Sequence, residues 1–407
     1  MDDLLIIGAG WAGLSAAAFA TKRHPNAKIR LIGQGIGSPI VTPGWISVAE
    51  SAEGDVISAL QAITSKAPEH PYALVGLESL ESALRLFCEI TAEIGLPYHD
   101  NGSPLQKFRT LTALGAAQYP TLVPTGYLGA QQAGESPLFV GFTGWRDYYP
   151  QLSGTKHAYI TPPTGERHWD LTPTDYARLF DRADFRAEVI QQVKPHLSGA
   201  TSVAFPSVLG LEQPNQVIKA LESAFGVPVF ELPTLPPSVP GTRFFNHMRR
   251  YLLDHRVRVQ IGHPVQRGII EHGRCVGVEV AAAGHPQRFK AHAVILATGN
   301  LYGGGLFSDD RGKVWEGIFD LPVQYIADRD KWFAEMMLSS TEHAVHYFGI
   351  RVNEQMQPLK ADGTVFAEGL YAAGQILATP IGSLSPLESS EGVALATAYQ
   401  AVQRALA

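Results

Sequence analysis

The feature that most constrains this chain is its first twenty residues, which read strand, glycine turn, helix. Leu4-Leu5-Ile6-Ile7 has the character of a buried strand, Gly8-Ala9-Gly10-Trp11-Ala12-Gly13 follows at once, and Leu14 to Ala20 is a strong helix former. In such a turn the first glycine permits the tight bend and the second lets a pyrophosphate reach the backbone. The third lets helix and strand pack closely, and the helix N–H groups then face the phosphates. Lys28 to Ile32 supplies a second strand at βαβ distance. The expectation is a Rossmann-like unit that holds a dinucleotide-type cofactor at Gly8, Gly10, Trp11, Ala12 and Gly13.

That fold usually ends its second strand on an Asp or Glu that accepts from the adenosine ribose hydroxyls. This chain has Gln34 between Gly33 and Gly35. A neutral amide still bonds a hydroxyl, more weakly than a carboxylate does. A cofactor with an adenosine half and one without it are both open on this reading.

Two distant segments extend the site. Residues 293 to 299 form a buried strand ending in Ala297-Thr298-Gly299, of the kind that returns beneath the phosphate and ribityl region of a flavin in two-domain flavoproteins. Gly369 to Gln375 reads as one more strand ending at Gly374, and Glu391-Gly392-Val393 opens a small-residue helix running to Ala407. Its N-terminal dipole would stabilise the negative charge that builds on a reduced flavin ring. The order of the three segments points to flavin. Only one dinucleotide signature is present, since Val140 to Trp145 lacks the spacing, so direct use of nicotinamide is disfavoured.

Composition closes off other classes. The 407 residues carry a formal charge of -6, with no Lys/Arg run or aromatic-basic interleaving, which argues against nucleic acid. Cys88 and Cys275 stand far apart and are too few for an iron–sulfur cluster, and no metal site is expected. Met1-Asp2-Asp3 leads straight into a strand and no segment approaches 18 uninterrupted apolar residues, so the expectation is a cytoplasmic protein without a membrane span.

The fold class expected is α/β: a Rossmann-like flavin domain of glutathione-reductase type at residues 1–75 and 255–407, with an inserted α+β domain at 76–254 for substrate or interface. Thr42 and Gly44, in a loop after the second strand, join the expected cofactor residues, and Trp45 beside them reads equally as a ring cover or a core aromatic.

Several runs resemble a known family, the B-type subunit of the anaerobic glycerol-3-phosphate dehydrogenase: Ala67 to Tyr72, Val140 to Gly144, Leu232 to Val239 with Gly241 and Arg243, Ala297 to Gly299 with Gly303 to Gly305, and Phe348 to Ile350. The chain departs from that pattern at Ser383 to Ser390, where relatives are Gly-rich. The resemblance implies a peripheral flavoprotein on the inner face of the cell membrane. It would work with a second flavoprotein subunit (A type) and an iron–sulfur membrane-docking subunit (C type), bind FMN where the glycine motif suggests FAD, and pass electrons from glycerol 3-phosphate to quinone. If this chain holds the substrate, a base must take the C2 hydroxyl proton and cations must hold the phosphate. His343 and His346 are the candidate bases, Arg243 and Arg351 the candidate clamps. The other expectation is a relay subunit whose partner performs the substrate chemistry.

Overall fold

The structure, a computed structural model, describes residues 1–49, 55–165, 171–337, 339, 342–384, 386 and 389–407. Ser385, Leu387 and Glu388 of the departing loop therefore lie outside the described residues. The chain divides into two compact units, one of residues 1–38, 47–90 and 248–407, the other of residues 39–46 and 91–247.

The first unit begins with β1 (Asp2–Ile7), α1 (Trp11–Arg23) and β2 (Ile29–Gly33). Leu4, Leu5 and Ile6 are fully buried, and α1 is buried from Trp11 to Thr21, as a helix that is apolar on every side must be. α2 (Val56–Lys66), α3 (Pro71–Val75) and α4 (Leu77–Glu93) follow. The expected boundary at 75 moves outward because α4 packs on α1: the rings of Trp11 and Phe87 lie 6.4 Å apart, and Lys22 Nζ is 3.1 Å from Glu89.

The second unit is built on β3 (Pro137–Phe142), β4 (His157–Ile160), α5 (Pro173–Phe180), α6 (Ala183–Val193), β5 (Ser202–Pro206), α7 (Pro214–Phe225) and β6 (Val229–Leu232). The strands run in the order β6-β5-β3-β4, all parallel. The insertion, expected as α+β, combines this parallel sheet with two short antiparallel pairs, 98–99 with 123–124 and 110–111 with 117–118. The main sheet is parallel because α5 and α6 separate β4 from β5 and α7 separates β5 from β6, the crossovers that parallel strands require. At its centre Phe142 stacks on Tyr176 and meets Phe180 edge-on, and Phe180 meets Phe205 in the same way. Residues 39–46 belong here because Ile46 bonds Leu122 O (2.9 Å) and Ile40 O accepts Ser238 N–H (2.7 Å).

The chain leaves through α8 (Val239–Asp254), with the boundary inside the helix, at 247 instead of the expected 254. β7 (Arg258–Ile261), β8 (Val265–Glu271), β9 (Arg274–Val280), β10 (Gln287–Leu296), β11 (Leu370–Ala372) and α9 (Ser390–Ala405) complete the first unit. Its seven-stranded sheet has the order β7-β2-β1-β10-β9-β8, with β11 also on β10. Strands β7, β2, β1, β10 and β11 are parallel, and β8, β9 and β10 form an antiparallel meander. This is the expected Rossmann-like fold. Cys275 is buried on β9, where burial pushes its thiol up to about 11, and Cys88 is half-buried on α4.

Candidate functional site

Ile7 of β1 lies beside Leu296 of β10, which lies beside Ala372 of β11, so three chain-distant segments leave the sheet at one carboxyl edge. Open parallel sheets bind ligands outside that edge. Gly8 has φ +117°, and a Cβ there would sit 2.1 Å from Ala297 O. A Cβ on Gly374 would sit 2.6 Å from Ala12 Cβ, while its N–H donates to Thr397 Oγ1 of α9 (2.9 Å). The three predicted segments meet in one place.

Gly10 differs from these. It caps α1, whose first internal bond runs from Leu14 N–H to Gly10 O (3.0 Å), so the first-turn N–H groups open toward the cap. A Cβ on Gly10 would meet only the Ser38 hydroxyl at 3.2 Å and its backbone nitrogen at 3.7 Å. Little around Gly10 demands a glycine, and the backbone there is open to approach. Thr298 Oγ1 is buried with no partner among the described residues, beside Gly299 at φ +79°. A Cβ on Gly305 would lie 2.0 Å from Gly299 O, which explains why the two glycine runs occur together. An open helix cap and an orphaned hydroxyl at one edge fit a phosphate- and hydroxyl-bearing cofactor. Gln34 is exposed just past β2.

α9 begins against Ser47 and Tyr72. Gly392 N–H donates to Ser47 O (3.0 Å), and a Cβ on Gly392 would meet Tyr72 Oη at 2.3 Å. Tyr72 Oη lies 3.0 Å from Val48 O and 3.4 Å from Ser389 O. Burial, and then the Glu391 carboxylate, raise the Tyr72 phenol well above its ordinary value, so it stays neutral. Glu391 and Val393 are themselves buried.

Arg351 lies near the start of α3. Residues 347–350 run along 377–379 through Ala378 N–H to Ile350 O (2.9 Å) and Thr379 N–H to Tyr347 O (3.2 Å). Gly349 is required there, since a Cβ would be 2.3 Å from Ala378 N. Arg351 lines a cavity of about 60 Å³ with Glu69, Gln324 and Thr379, and its Nη2 makes only long bonds to Lys360 O (3.4 Å) and Ala361 O (3.3 Å).

The two histidines sit in different states. His343 Nδ1 accepts from Ala334 N–H (2.9 Å), so Nε2 carries the proton and donates to Met337 O (3.1 Å). Both nitrogens hold a loop, which leaves His343 no lone pair for base catalysis. His346 Nδ1 is 3.7 Å from Glu342 Oε2, with the Tyr302 ring 5.7 Å away. Burial holds its pKa below the ordinary value against the opposing pull of Glu342.

Arg243 is not a phosphate clamp in this geometry. Its Nη1 and Nη2 bond both oxygens of fully buried Glu231 (2.7 and 2.9 Å), and Nε donates to Gly210 O (2.6 Å). Bidentate pairing with a buried carboxylate makes it a structural ion of the second unit. Gly44 also serves that unit: its carbonyl accepts from Tyr98 Oη (2.6 Å), and a Cβ would press on Pro240 at 2.5 Å. Thr42 is half-buried there. Trp45 packs edge-on to Tyr127 (5.3 Å) with Phe108 and Val123, as a core aromatic.

Sequence reasoning missed Ser47 and Tyr72 as neighbours of α9, His70, whose ring accepts the Tyr72 N–H, and Gly37, where a Cβ would meet Gly10 Cα at 2.7 Å. The His-Pro pair at 70–71, a helix cap followed by an N1 proline, was the available signal. Among the described residues no cluster of three or more His, Cys, Asp or Glu could hold a metal ion, and no helix is long and apolar enough to cross a membrane.

Comparison with known proteins agrees with this geometry. A family described as FAD binding domain matches residues 3–251, 241–314 and 306–391. A Halobacterium salinarum protein, named as the probable B-type subunit of an anaerobic glycerol-3-phosphate dehydrogenase, is 29% identical over 423 residues, covering 98% of this chain and 96% of its own. An Aliivibrio fischeri protein, named as the B-type subunit of the same kind of enzyme, is 25% identical over 440 residues, covering 98% and 94%. The resemblance drawn from the sequence is borne out by these names. Among solved structures, 3-ketosteroid delta1-dehydrogenase from Sterolibacterium denitrificans aligns over 100% of this chain and 99% of its own, with a TM-score of 0.50 and 12% identity, a likeness of fold.

Proposed function

Because the chain belongs to the FAD binding domain family, we propose that it is the flavin-carrying B-type subunit of a glycerol-3-phosphate dehydrogenase, oxidising glycerol 3-phosphate to dihydroxyacetone phosphate and passing electrons to quinone through partners. The observation that carries this reading is the meeting of Gly8, Thr298-Gly299 and Gly374 at one sheet edge, beside the open cap of α1. Near full-length similarity to proteins named as B-type subunits supports the assignment to that enzyme.

The cofactor we propose is FAD, after the family, with FMN as the alternative because Gln34 replaces the ribose carboxylate. The first-turn N–H groups of α1 would bind its phosphates and Thr298 Oγ1 a ribityl hydroxyl. Bound there, a flavin supplies a two-electron acceptor. Arg351, whose guanidinium has only long protein contacts, is the candidate for the substrate phosphate. His346, kept neutral by burial, is the candidate for the hydroxyl proton.

A relay subunit is the second reading. It is favoured by the loss of two candidates, Arg243 to its ion pair with Glu231 and His343 to two backbone bonds. In either case a second flavoprotein subunit and an iron–sulfur subunit would dock the complex at the inner face of the membrane.

The test is an anaerobic visible spectrum of the purified chain, with the released flavin identified by mass, before and after glycerol 3-phosphate. Bleaching of a bound flavin by substrate supports catalysis here. A bound flavin that bleaches only when the partner subunits are present supports the relay, and a colourless, well-folded chain sinks both.

A further inference from the structure

We propose that His70 is a cofactor-positioning residue, its Nε2–H donating to the flavin at the α9 end of the site. This deepens the flavin reading above and rests on it. His70 is fully buried at the start of α3. Its Nδ1 accepts the Tyr72 N–H at 3.1 Å. A ring nitrogen that accepts carries no proton, so the proton of the neutral ring is on Nε2. Nε2 is buried and, among the described residues, meets no acceptor. Buried donors without partners are rare and costly, and each one asks what it meets.

The surroundings point to the answer. Tyr72, two residues on, sits against Val48 O, Ser389 O and the Cα side of Gly392, which ties His70 to the N-terminus of α9. Its neighbours Glu69 and Pro71 line the Arg351 cavity. Burial drives the imidazole down to about 4, so the ring is a neutral donor across the physiological range. A neutral N–H suits a carbonyl oxygen or an unprotonated ring nitrogen, the groups a flavin ring presents on its pyrimidine edge. A donor fixed there before binding adds affinity and stabilises charge gained on reduction.

The pair His70→Asn and His70→Gln separates this role from a structural one. Asn keeps an oxygen that can accept the Tyr72 N–H, as a strong N-cap residue, but has no donor at the Nε2 position. Gln places an amide N–H near it. Each variant is compared with wild type by melting of the flavin-free chain, fluorescence titration with flavin in the absence of substrate, and the absorption spectrum and midpoint potential of the bound flavin. His70→Asn should melt like wild type, bind flavin about tenfold more weakly, the scale of one hydrogen bond, and show shifted absorption and a lower potential. His70→Gln should recover part of each. In wild type labelled with 15N-histidine, the His70 Nε2–H signal should move and gain exchange protection when flavin is added, which decides the matter should the Asn variant fail to fold. Wild-type affinity and spectrum in His70→Asn, or an Nε2–H signal indifferent to flavin, would overturn the proposal and leave that donor to water. Wild type that takes no flavin at all overturns the flavin reading instead, and this inference with it.

Discussion

A side chain on Gly13 would bring its first carbon within 1.9 Å of the Gly8 carbonyl oxygen, so α1 and the turn after β1 touch backbone to backbone. A Cβ on Gly10, between them, would touch only Ser38 among the described residues. Gly13→Ala should therefore destabilise the fold by about 1–3 kcal/mol, the usual cost of overpacking. Gly10→Val should leave the melting temperature close to wild type and abolish flavin, read as the ratio of visible to protein absorbance. Full flavin content in Gly10→Val counts against the phosphate site.

Glu231 and Arg243 are both buried and bonded to each other through two contacts. Removing one partner strands a charge, so Glu231→Gln or Arg243→Met should cost about 3–5 kcal/mol in urea unfolding. If Arg243→Lys folds, its KM for glycerol 3-phosphate should stay at the wild-type value in the assembled enzyme. A raised KM at unchanged stability would restore the clamp role.

Glu279 on β9 accepts from Arg288 Nε (2.7 Å) and Arg267 Nη2 (3.0 Å), and hydrogen bonds from the two guanidiniums hold its carboxyl down to about 2. A depressed folded-state value means stability that is present above the ordinary value of 4.5 and lost as pH falls toward 2. Glu279→Gln should thus be less stable than wild type at neutral pH, with the difference closing between about 4.5 and 2. Melting temperatures across that range check it; a gap that does not narrow toward pH 2 contradicts the linkage.

Gln34 follows β2 and is exposed, where this fold otherwise carries a ribose-binding carboxylate. If FAD is the native cofactor, Gln34→Glu should tighten it by on the order of 1 kcal/mol, one charge-assisted hydrogen bond. If FMN is native, titration of the apoprotein should find no change.

The lone chain should not couple glycerol 3-phosphate oxidation to quinone reduction at a useful rate. Its two cysteines cannot form a cluster, and among the described residues no helix spans a membrane. Co-expression with a second flavoprotein and a cysteine-rich subunit should yield a complex that reduces quinone, and Gly10→Val should lower that rate without dissolving the complex. Robust quinone reduction by the isolated chain would end the partner requirement.

The sequence alone determined the Rossmann-like unit, because its signal is local. Gly8, Gly10 and Gly13 are fixed by a turn six residues long, and α1 and α9 by runs of small apolar residues that can only be buried. The late Thr298-Gly299 and Gly374 segments were legible for the same reason, each being a strand that ends on glycine. What only the tertiary structure decided concerns side chains whose partners are distant in sequence. Arg243 reads as a free cation until Glu231 and Gly210 close around it, and His343 as a base until Ala334 and Met337 take both its nitrogens. The insertion boundaries moved because α4 packs on α1 and residues 39–46 pair with Leu122 and Ser238, contacts that no local pattern announces. His70 shows the same limit from the other side. Its place before Pro71 marks a helix start in the sequence, but only burial reveals that one of its nitrogens is left with a proton and no acceptor among the described residues.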